Sequence, residues 1–132
     1  MSGPALIACC AALGLGAGAA AQSLTPMRAE VGTFTDTAAV RLSVGNPGER
    51  RLRIGFAAYD EAWAPITGAT ATRPSLALPG GETASVVVTV PLGGAASCVF
   101  RVCARSAPVL GPNGQALRGE VCGKYRATRY AP

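Results

Sequence analysis

Residues 98–126 read CVFRVCARSAPVLGPNGQALRGEVCGKYR, two strand-like runs that are joined by a proline and glycine turn at residues 111–114. Pro112 takes the second turn position, where its fixed φ is favoured, and Gly114 closes the turn. With the turn centred between residues 112 and 113, the facing residues match in chemistry: Phe100 with Tyr125, Cys103 with Cys122, Ala104 with Val121, and Arg105 with Glu120. A shift of one residue loses all four matches, so the sequence predicts this hairpin and its register.

The two faces of this hairpin differ in polarity because side chains alternate along a strand. One face is apolar and is predicted to be a core face, with Phe100, Val102, Ala104, Val121 and Tyr125. The other face is basic and solvated, and it includes a like-charge pair, Arg101 opposite Lys124. Like charges directly across a ladder are unfavourable. Two interpretations stay open: both side chains extend into water, or they form part of an anion site.

The rest of the chain repeats the period-two pattern that is typical of strands, with glycine and proline turns between the runs. Strands are predicted at residues 24–31, 40–44, 52–58, 70–78 and 86–90, before the two of the hairpin. The run 70–78 is expected to be an edge strand broken by Pro74. Residues 60–68 form a loop that contains the only tryptophan. Seven strands without a helix predict an all-β, immunoglobulin-like sandwich.

The amino-terminal residues 1–21 differ from the rest, because they are uncharged and rich in Ala, Leu and Gly. They end in Ala19-Ala20-Ala21, and small residues at these positions indicate a secretory signal peptide that is cleaved after Ala21. A membrane-spanning anchor is the competing interpretation, although the run is short for a span. Acylation at Cys9, as in a lipoprotein, is a third. The remaining residues 22–132 are predicted to be one sandwich domain.

Export would place the mature cysteines in an oxidising compartment, where disulfides persist. Cys98 and Cys103 are about 16 Å apart along one strand, which is too far for a disulfide. The hairpin register therefore predicts a disulfide between Cys103 and Cys122. Cys98 shares the apolar face and is expected to be a small buried hydrophobic residue. A metal site is not expected, because the chain has no histidine and no Cys-x-x-Cys spacing.

Several functional classes are disfavoured by the composition. Without histidine, a Ser-His or Cys-His nucleophilic site is impossible, and the seven carboxylates show no paired spacing. The net charge of +5 could suit nucleic acid, but basic runs and stacking aromatics are few. We expect a protein that is not an enzyme, requires no cofactor, and binds neither nucleic acid nor a small-molecule substrate.

Several segments in order resemble the first domain of PapD-like periplasmic pilus chaperones. The matching motifs are Leu24-Thr-Pro-Met-Arg28, Val40-Arg-Leu-Ser-Val-Gly-Asn46, the proline-rich approach to the turn at residues 79–81, the run that begins at Cys98, and the closing Tyr130-Ala-Pro132. The similarity spans most of residues 23–132. It implies a periplasmic chaperone that completes a pilin or another exported subunit by lending its last strand, a form of strand addition.

The resemblance also assigns roles to residues. Arg28 corresponds to the arginine that holds the client carboxylate, and the second anchor falls on Lys124 or Arg126, with Arg101 nearby. The residues that would serve strand addition are Leu117, Val121 and Tyr125. An usher, or a companion chaperone subunit that supplies the family's second domain, is a further expected partner.

One departure from the family keeps an alternative open. The lending strand of these chaperones presents large apolar residues at alternate positions, whereas Gly119 and Gly123 occupy two of them here. The alternative is a non-catalytic structural or interaction module of the periplasm or cell surface, such as a fibre component, which uses the sandwich as a scaffold.

Overall fold

The computed structural model describes residues 22–131, so the predicted signal peptide at residues 1–21 and the alternative acylation at Cys9 lie outside the described residues. Within that range the chain forms strands β1 (Ser23–Thr25), β2 (Arg28–Thr33), β3 (Thr37–Gly45), β4 (Leu52–Asp60), β5 (Thr70–Ala71), β6 (Ser75–Leu78), β7 (Thr83–Pro91), β8 (Ser97–Ser106), β9 (Val109–Leu110), β10 (Ala116–Leu117) and β11 (Glu120–Arg129). This part of the chain contains no helix that is long and apolar enough to cross a membrane.

The strands form two principal sheets that pack against each other. One sheet has the order β1-β3-β7-β5, and the other has the order β2-β11-β8-β4-β6. Strands β9 and β10 form a separate ribbon at the tip of the last hairpin. All neighbouring strands are antiparallel except β2 and β11, which run parallel. The predicted all-β, immunoglobulin-like sandwich is confirmed.

The core lies between the inner faces of the two sheets, where the period-two pattern places the aliphatic side chains. Every second residue of β3 is buried from Ala38 to Val44, and β7 follows the same pattern. The second sheet contributes Ile54, Val102 and the two largest fully buried side chains, Tyr125 and Phe100. Full burial of each Val, Leu, Ile or Phe side chain stabilises the fold by roughly 1.5–3 kcal/mol, so alternation alone accounts for much of the sandwich.

The prediction of one strand at residues 24–31 is wrong. The structure divides this run into β1 and β2, and the two strands belong to different sheets. Pro26 lies at the crossing point. Because proline has no N–H to donate to a ladder, the chain can leave the first sheet there, and Arg28 begins the second strand.

The run 70–78 is divided in the same way. It was expected to be an edge strand broken by Pro74, and both halves do lie at sheet edges. The single strand is wrong, because β5 pairs with β7 in one sheet and β6 pairs with β4 in the other. The chain therefore crosses between sheets on each side of the sandwich.

The predicted register of the last hairpin is confirmed wherever β8 pairs with β11. β8 and β11 pair from Ser97 opposite Thr128 to Arg105 opposite Glu120, which includes all four matched pairs. Chemical complementarity between facing side chains was therefore sufficient to set the register of the two longest strands.

Near the turn the register advances by one residue, which the sequence did not predict. Val109 pairs with Leu117, so residues 107 and 108 face only Arg118. The Gly114 N–H donates to the Gly111 carbonyl at 3.0 Å, and Gly114 has a φ of 76°. This is a three-residue loop that closes with a left-handed glycine, rather than a symmetric two-residue turn. A bulge in the first arm restores the predicted register.

Asn46 links the end of β3 to two turns. Its side chain is 1 % exposed, and its Nδ2 donates to the carbonyls of Arg50 at 2.7 Å and Leu78 at 2.9 Å. Its Oδ1 accepts the N–H of Gly48 at 3.1 Å. The buried amide thus satisfies backbone groups that the turns leave without a ladder partner.

Candidate functional site

Three basic residues lie in one row across the outer face of the five-stranded sheet. Arg28 on β2 pairs with Lys124 on β11, and Lys124 pairs on its other side with Arg101 on β8. Partners on adjacent strands project their side chains to the same face, so all three cations face outward. We call these three residues the cation row. The structure therefore brings together three of the four residues that were predicted to anchor a carboxylate.

Arg126 is the fourth predicted anchor and lies outside this row. It is two residues further along β11 on the same face, and its partner on β2 is Glu30. Lys124 is thus the candidate that stands beside Arg28, whereas Arg126 stands beside an acidic residue. A role for any of the four in carboxylate anchoring stays a prediction.

Arg101 is held by a loop from another part of the chain. Its Nη1 donates to the Glu61 carbonyl at 2.7 Å and to the Asp60 carbonyl at 3.2 Å. Its guanidinium carbon lies 4.3 Å from the centroid of the Trp63 ring, a cation–π contact. Arg101 is therefore turned toward this loop and away from open solvent.

The same loop explains how the sheet tolerates Arg101 beside Lys124. The Glu61 Oε1 lies 3.8 Å from the Lys124 Nζ, so a negative charge reaches the row. The sequence had suggested either two solvated side chains or an anion site. In the structure the loop supplies the counter-charge, with a carboxylate for Lys124 and two carbonyl dipoles for Arg101.

Sequence reasoning missed Glu61 and Trp63 as neighbours of the cation row. The sequence predicted residues 60–68 only as a loop that contains the single tryptophan. The one available signal was indirect: two like charges that face each other on a ladder require a counter-charge from elsewhere in the fold. Nothing local to residues 60–63 identifies which strand that loop will contact.

The first residues of β11 form an edge that is open on one side. Pairing with β2 begins at Lys124, whose N–H donates to the Met27 carbonyl at 2.9 Å, whereas residues 120–123 pair only with β8. The backbone N–H and C=O groups of successive residues point to opposite sides of a strand. Those of Glu120 and Cys122 therefore point to the same side as those of Lys124. Within residues 22–131, no strand pairs with them there. We call residues 120–123 the open edge, and it ends at the cation row.

The three residues predicted for strand addition lie in different surroundings. Leu117 is half-buried in β10, and Val121 is half-buried against the core from the open edge. Tyr125 is only 1 % exposed and packs on Phe100, with ring centroids 5.6 Å apart. Tyr125 therefore belongs to the domain's own core in this structure. Strand addition by these residues stays a prediction.

The position of the Tyr125 hydroxyl explains why residue 123 is a glycine, where the lending strand of the family has a large apolar residue. The hydroxyl reaches back over Gly123 and donates to the Pro26 carbonyl at 2.6 Å. A Cβ at position 123 would lie 2.5 Å from Tyr125 Cζ and closer still to the hydroxyl. Burial raises the pKa of Tyr125 to about 12. Glycine is thus required at position 123 by packing inside this domain.

Gly119 has a similar explanation at the other end of the open edge. A Cβ there would lie 2.8 Å from Gln22 Oε1. The Gln22 side chain is buried, and its Nε2 donates to the carbonyls of Ala104 at 2.7 Å and Gly119 at 3.0 Å. Both glycines therefore make room for side chains of the same domain.

The predicted disulfide is confirmed: Cys103 and Cys122 are bonded, with their Cα atoms 4.0 Å apart. It joins β8 to the open edge on the outer face. These sulfurs and Glu120 make the one cluster of potential metal ligands among the described residues. A disulfide leaves no thiolate to coordinate a metal.

Cys98 is a free, half-buried thiol that packs against the core. Burial is the main reason why its pKa is raised, and the nearby carboxylates of Asp60 and Glu61 add to the shift. A raised pKa keeps the thiol protonated and poorly reactive. The expected role as a small hydrophobic residue agrees with this environment.

Comparisons by sequence return nothing for this chain: no protein-family model matches it, and no curated protein does. Comparison with solved structures is informative. A chain of the Salmonella enterica complex of the SafA pilin with the SafB chaperone superposes with a TM-score of 0.68 and 18% identity, over 84% of this chain and 55% of that chain. The E. coli chaperone DraB gives a TM-score of 0.66 and 17% identity, over 84% of this chain and 56% of that chain.

A third solved structure is a single domain. The human CEP192 PapD-like domain 7 superposes with a TM-score of 0.62 and 12% identity, over 86% of this chain and 87% of that chain. These likenesses confirm the fold that the resemblance implied, the PapD-like immunoglobulin-like sandwich. The chain spans little more than half the length of the chains it matches in the SafA–SafB and DraB structures.

Proposed function

We propose that this protein is a periplasmic chaperone that binds surface-fibre subunits by strand addition and by holding their C-terminal carboxylate. The observation that carries the proposal is that the open edge of β11 runs directly into the Arg28–Lys124 pair. A client strand could form main-chain hydrogen bonds along that edge and end with its carboxylate between two cations. Both interactions are established modes of peptide recognition.

The direction of the client strand follows from this geometry. Its C-terminus would lie at Lys124 and its preceding residues beside residues 123–120, so it would run parallel to β11. β2 also runs parallel to β11 and begins at this point, with Arg28 opposite Lys124. The client strand would therefore lie along the same side of β11 as β2, ending where β2 begins, and would extend the five-stranded sheet.

Location and partners follow from the same proposal. The predicted signal peptide directs the chain out of the cytoplasm, and an oxidising compartment such as the periplasm preserves the Cys103–Cys122 disulfide. Pilin-type or other exported subunits would be the clients. An usher or a companion chaperone subunit would be a further partner.

The test is capture of exported subunits by the tagged protein from a periplasmic extract, with bound proteins identified by mass spectrometry. Arg28→Ala and Lys124→Ala should each weaken capture about 10- to 100-fold, because each removes a charge-assisted hydrogen bond to the carboxylate. Arg41→Ala is the matched control, since Arg41 is an exposed arginine on the other sheet. Capture that is equal in all three variants would contradict the proposal.

A non-catalytic interaction module is the second candidate function. The likeness to the CEP192 domain favours it, because that match covers nearly the whole of both chains. On this alternative, partners would be captured without dependence on a free C-terminal carboxylate. A subunit peptide with an amidated C-terminus should then bind as tightly as the same peptide with a free C-terminal carboxylate.

A further inference from the structure

The loop that contacts Arg101 and Lys124 of the cation row is built around Asp60. The Asp60 N–H donates to the Ala64 carbonyl at 2.9 Å, the Asp60 carbonyl accepts the Trp63 N–H at 3.0 Å, and Oδ1 accepts the Ala64 N–H at 2.9 Å. Trp63 takes a φ of 63°, a left-handed conformation that bulky residues rarely adopt. These bonds hold the loop in one shape and set Trp63 on the outer face. We call residues 60–63 the Trp63 loop.

Arg101 fastens the Trp63 loop to the sheet. Two carbonyls of the loop accept hydrogen bonds from its Nη1, and the Trp63 ring lies against its guanidinium group. The Trp63 ring also lies near Tyr59, with centroids 5.9 Å apart, and half of its surface remains exposed. Arg101 thus uses its Nη1 to hold the loop, and it fits a positioning role better than a role in contacting a ligand.

With the loop fastened, Glu61 is the acidic group at the cation row. Its Oε1 is 3.8 Å from Lys124 Nζ, and both side chains are largely exposed. Arg28 has no acidic partner within 4.0 Å among the described residues. The free protein therefore holds one carboxylate of its own at the place where the proposed function puts a client carboxylate.

We infer that Glu61 is a built-in competitor for the client carboxylate: it occupies Lys124 in the free protein, is displaced on binding, and is held in place by Arg101 and Trp63. This inference rests on the proposed function and adds its regulation. An exposed ion pair is weak, so the competitor lowers affinity modestly and allows ready displacement. A partner without a free terminal carboxylate would leave the Glu61–Lys124 pair in place, so Glu61 would not change its affinity.

The experiment uses an acetylated peptide of alternating Ser and Val with a free C-terminal carboxylate, and the same peptide with a C-terminal amide. Binding to the full mature chain is followed by the fluorescence of Trp63, the only tryptophan, and by NMR shifts of the Lys124 and Arg28 amides. Glu61→Gln should lower the Kd of the carboxylate peptide about two- to five-fold and leave that of the amide peptide unchanged.

Glu82→Gln is the matched control, because it makes the same change in net charge at an exposed site. Glu82 lies away from the cation row. It comes shortly after Leu78, which pairs with Leu52 at the start of β4, whereas Arg101 pairs with Tyr59 near the end of β4. If Glu82→Gln tightens binding as much as Glu61→Gln, the effect is general electrostatics and the inference is wrong.

The outcomes separate this inference from the proposed function. If the carboxylate peptide binds better than the amide peptide but Glu61→Gln changes neither Kd, the built-in competitor is disproved and the carboxylate site stands. If the two peptides bind equally to every variant, the carboxylate site fails, and the competitor fails with it.

The positioning role of Arg101 has its own readout. Arg101→Gln should release the Trp63 loop, so acrylamide should quench the fluorescence of Trp63 more strongly, while Arg101→Lys should preserve part of the shielding. Quenching that is the same in the wild type and Arg101→Gln would overturn this role.

Discussion

Replacement of Gly123 by alanine should destabilise the domain by about 3 kcal/mol. The new Cβ would lie 2.5 Å from Tyr125 Cζ, whereas carbon–carbon contacts are comfortable at about 3.5 Å, so the ring must retreat by roughly 1 Å. That movement breaks the 2.6 Å hydrogen bond from the hydroxyl to the Pro26 carbonyl. Overpacking costs about 1–3 kcal/mol, and the loss of this part-buried hydrogen bond costs about 1 kcal/mol more.

The assay is urea unfolding followed by far-UV circular dichroism, together with a thermal melt. For about 110 residues the unfolding entropy is about 0.23 kcal/mol/K, so the midpoint temperature should fall by about 13 °C. Gly55→Ala is the matched control, because a Cβ there meets only the Pro74 carbonyl, at 3.8 Å, and Gly55 has no positive φ. A Gly123→Ala variant as stable as Gly55→Ala would refute the placement of Tyr125 over Gly123.

Three further predictions concern the same domain. Replacing Cys103 and Cys122 by serine should cost about 3 kcal/mol in urea unfolding, the loop-closure value for about 20 residues, and peptide mapping that found a Cys98–Cys122 link instead would contradict the register. Asn46→Ala should cost about 2–3 kcal/mol, because two carbonyls lose their buried donor; an unchanged urea midpoint would argue against these bonds. Folding raises the pKa of Tyr125 to about 12, so the folded chain holds this proton more tightly and stability should fall as pH rises from about 10 to about 12. Tyr125→Phe should lose that pH dependence.

The register of the last hairpin could be predicted because its information is local to two facing strands. Four pairs such as Phe100 with Tyr125 become mismatched together if either strand slips by one residue. The turn itself could not be predicted to the residue. The choice between a two-residue and a three-residue loop depended on Gly114 taking a left-handed φ, which the letters Pro-Asn-Gly permit but do not require.

The exchange of strands between sheets could not be predicted from the apolar pattern. A run that alternates polar and apolar residues has the same appearance whether it stays in one sheet or crosses to the opposite one. Pro74 was identified as an interruption, whereas Pro26 was placed inside a predicted strand, and the crossings occur beside both prolines. Which edge receives each half depends on the positions of β3, β7, β4 and β11, which are set by the rest of the fold.

The candidate site was predicted in part, since Arg101 and Lys124 were paired from the sequence and Arg28 was added by resemblance. The contribution of Glu61 was not accessible in this way. It lies 40 residues before Arg101 in the chain, and its contact depends on how the loop after β4 folds around Asp60. Long-range contacts made by loops carry no periodic signal in a sequence.

The two glycines of β11 decide what kind of client the open edge can hold. Positions 119 and 123 present no side chain because Gln22 and Tyr125 fill that space from within the domain, so Val121 is the remaining apolar side chain between them. A client strand would then gain main-chain hydrogen bonds, each worth about 1 kcal/mol net, and a carboxylate pair, but few filled pockets. Since binding must also offset the lost freedom of the partner, such a complex should be weak and quickly exchanging unless the client brings large side chains of its own. A client captured with slow dissociation that survives Val121→Ala would therefore place the main contact elsewhere on the sandwich.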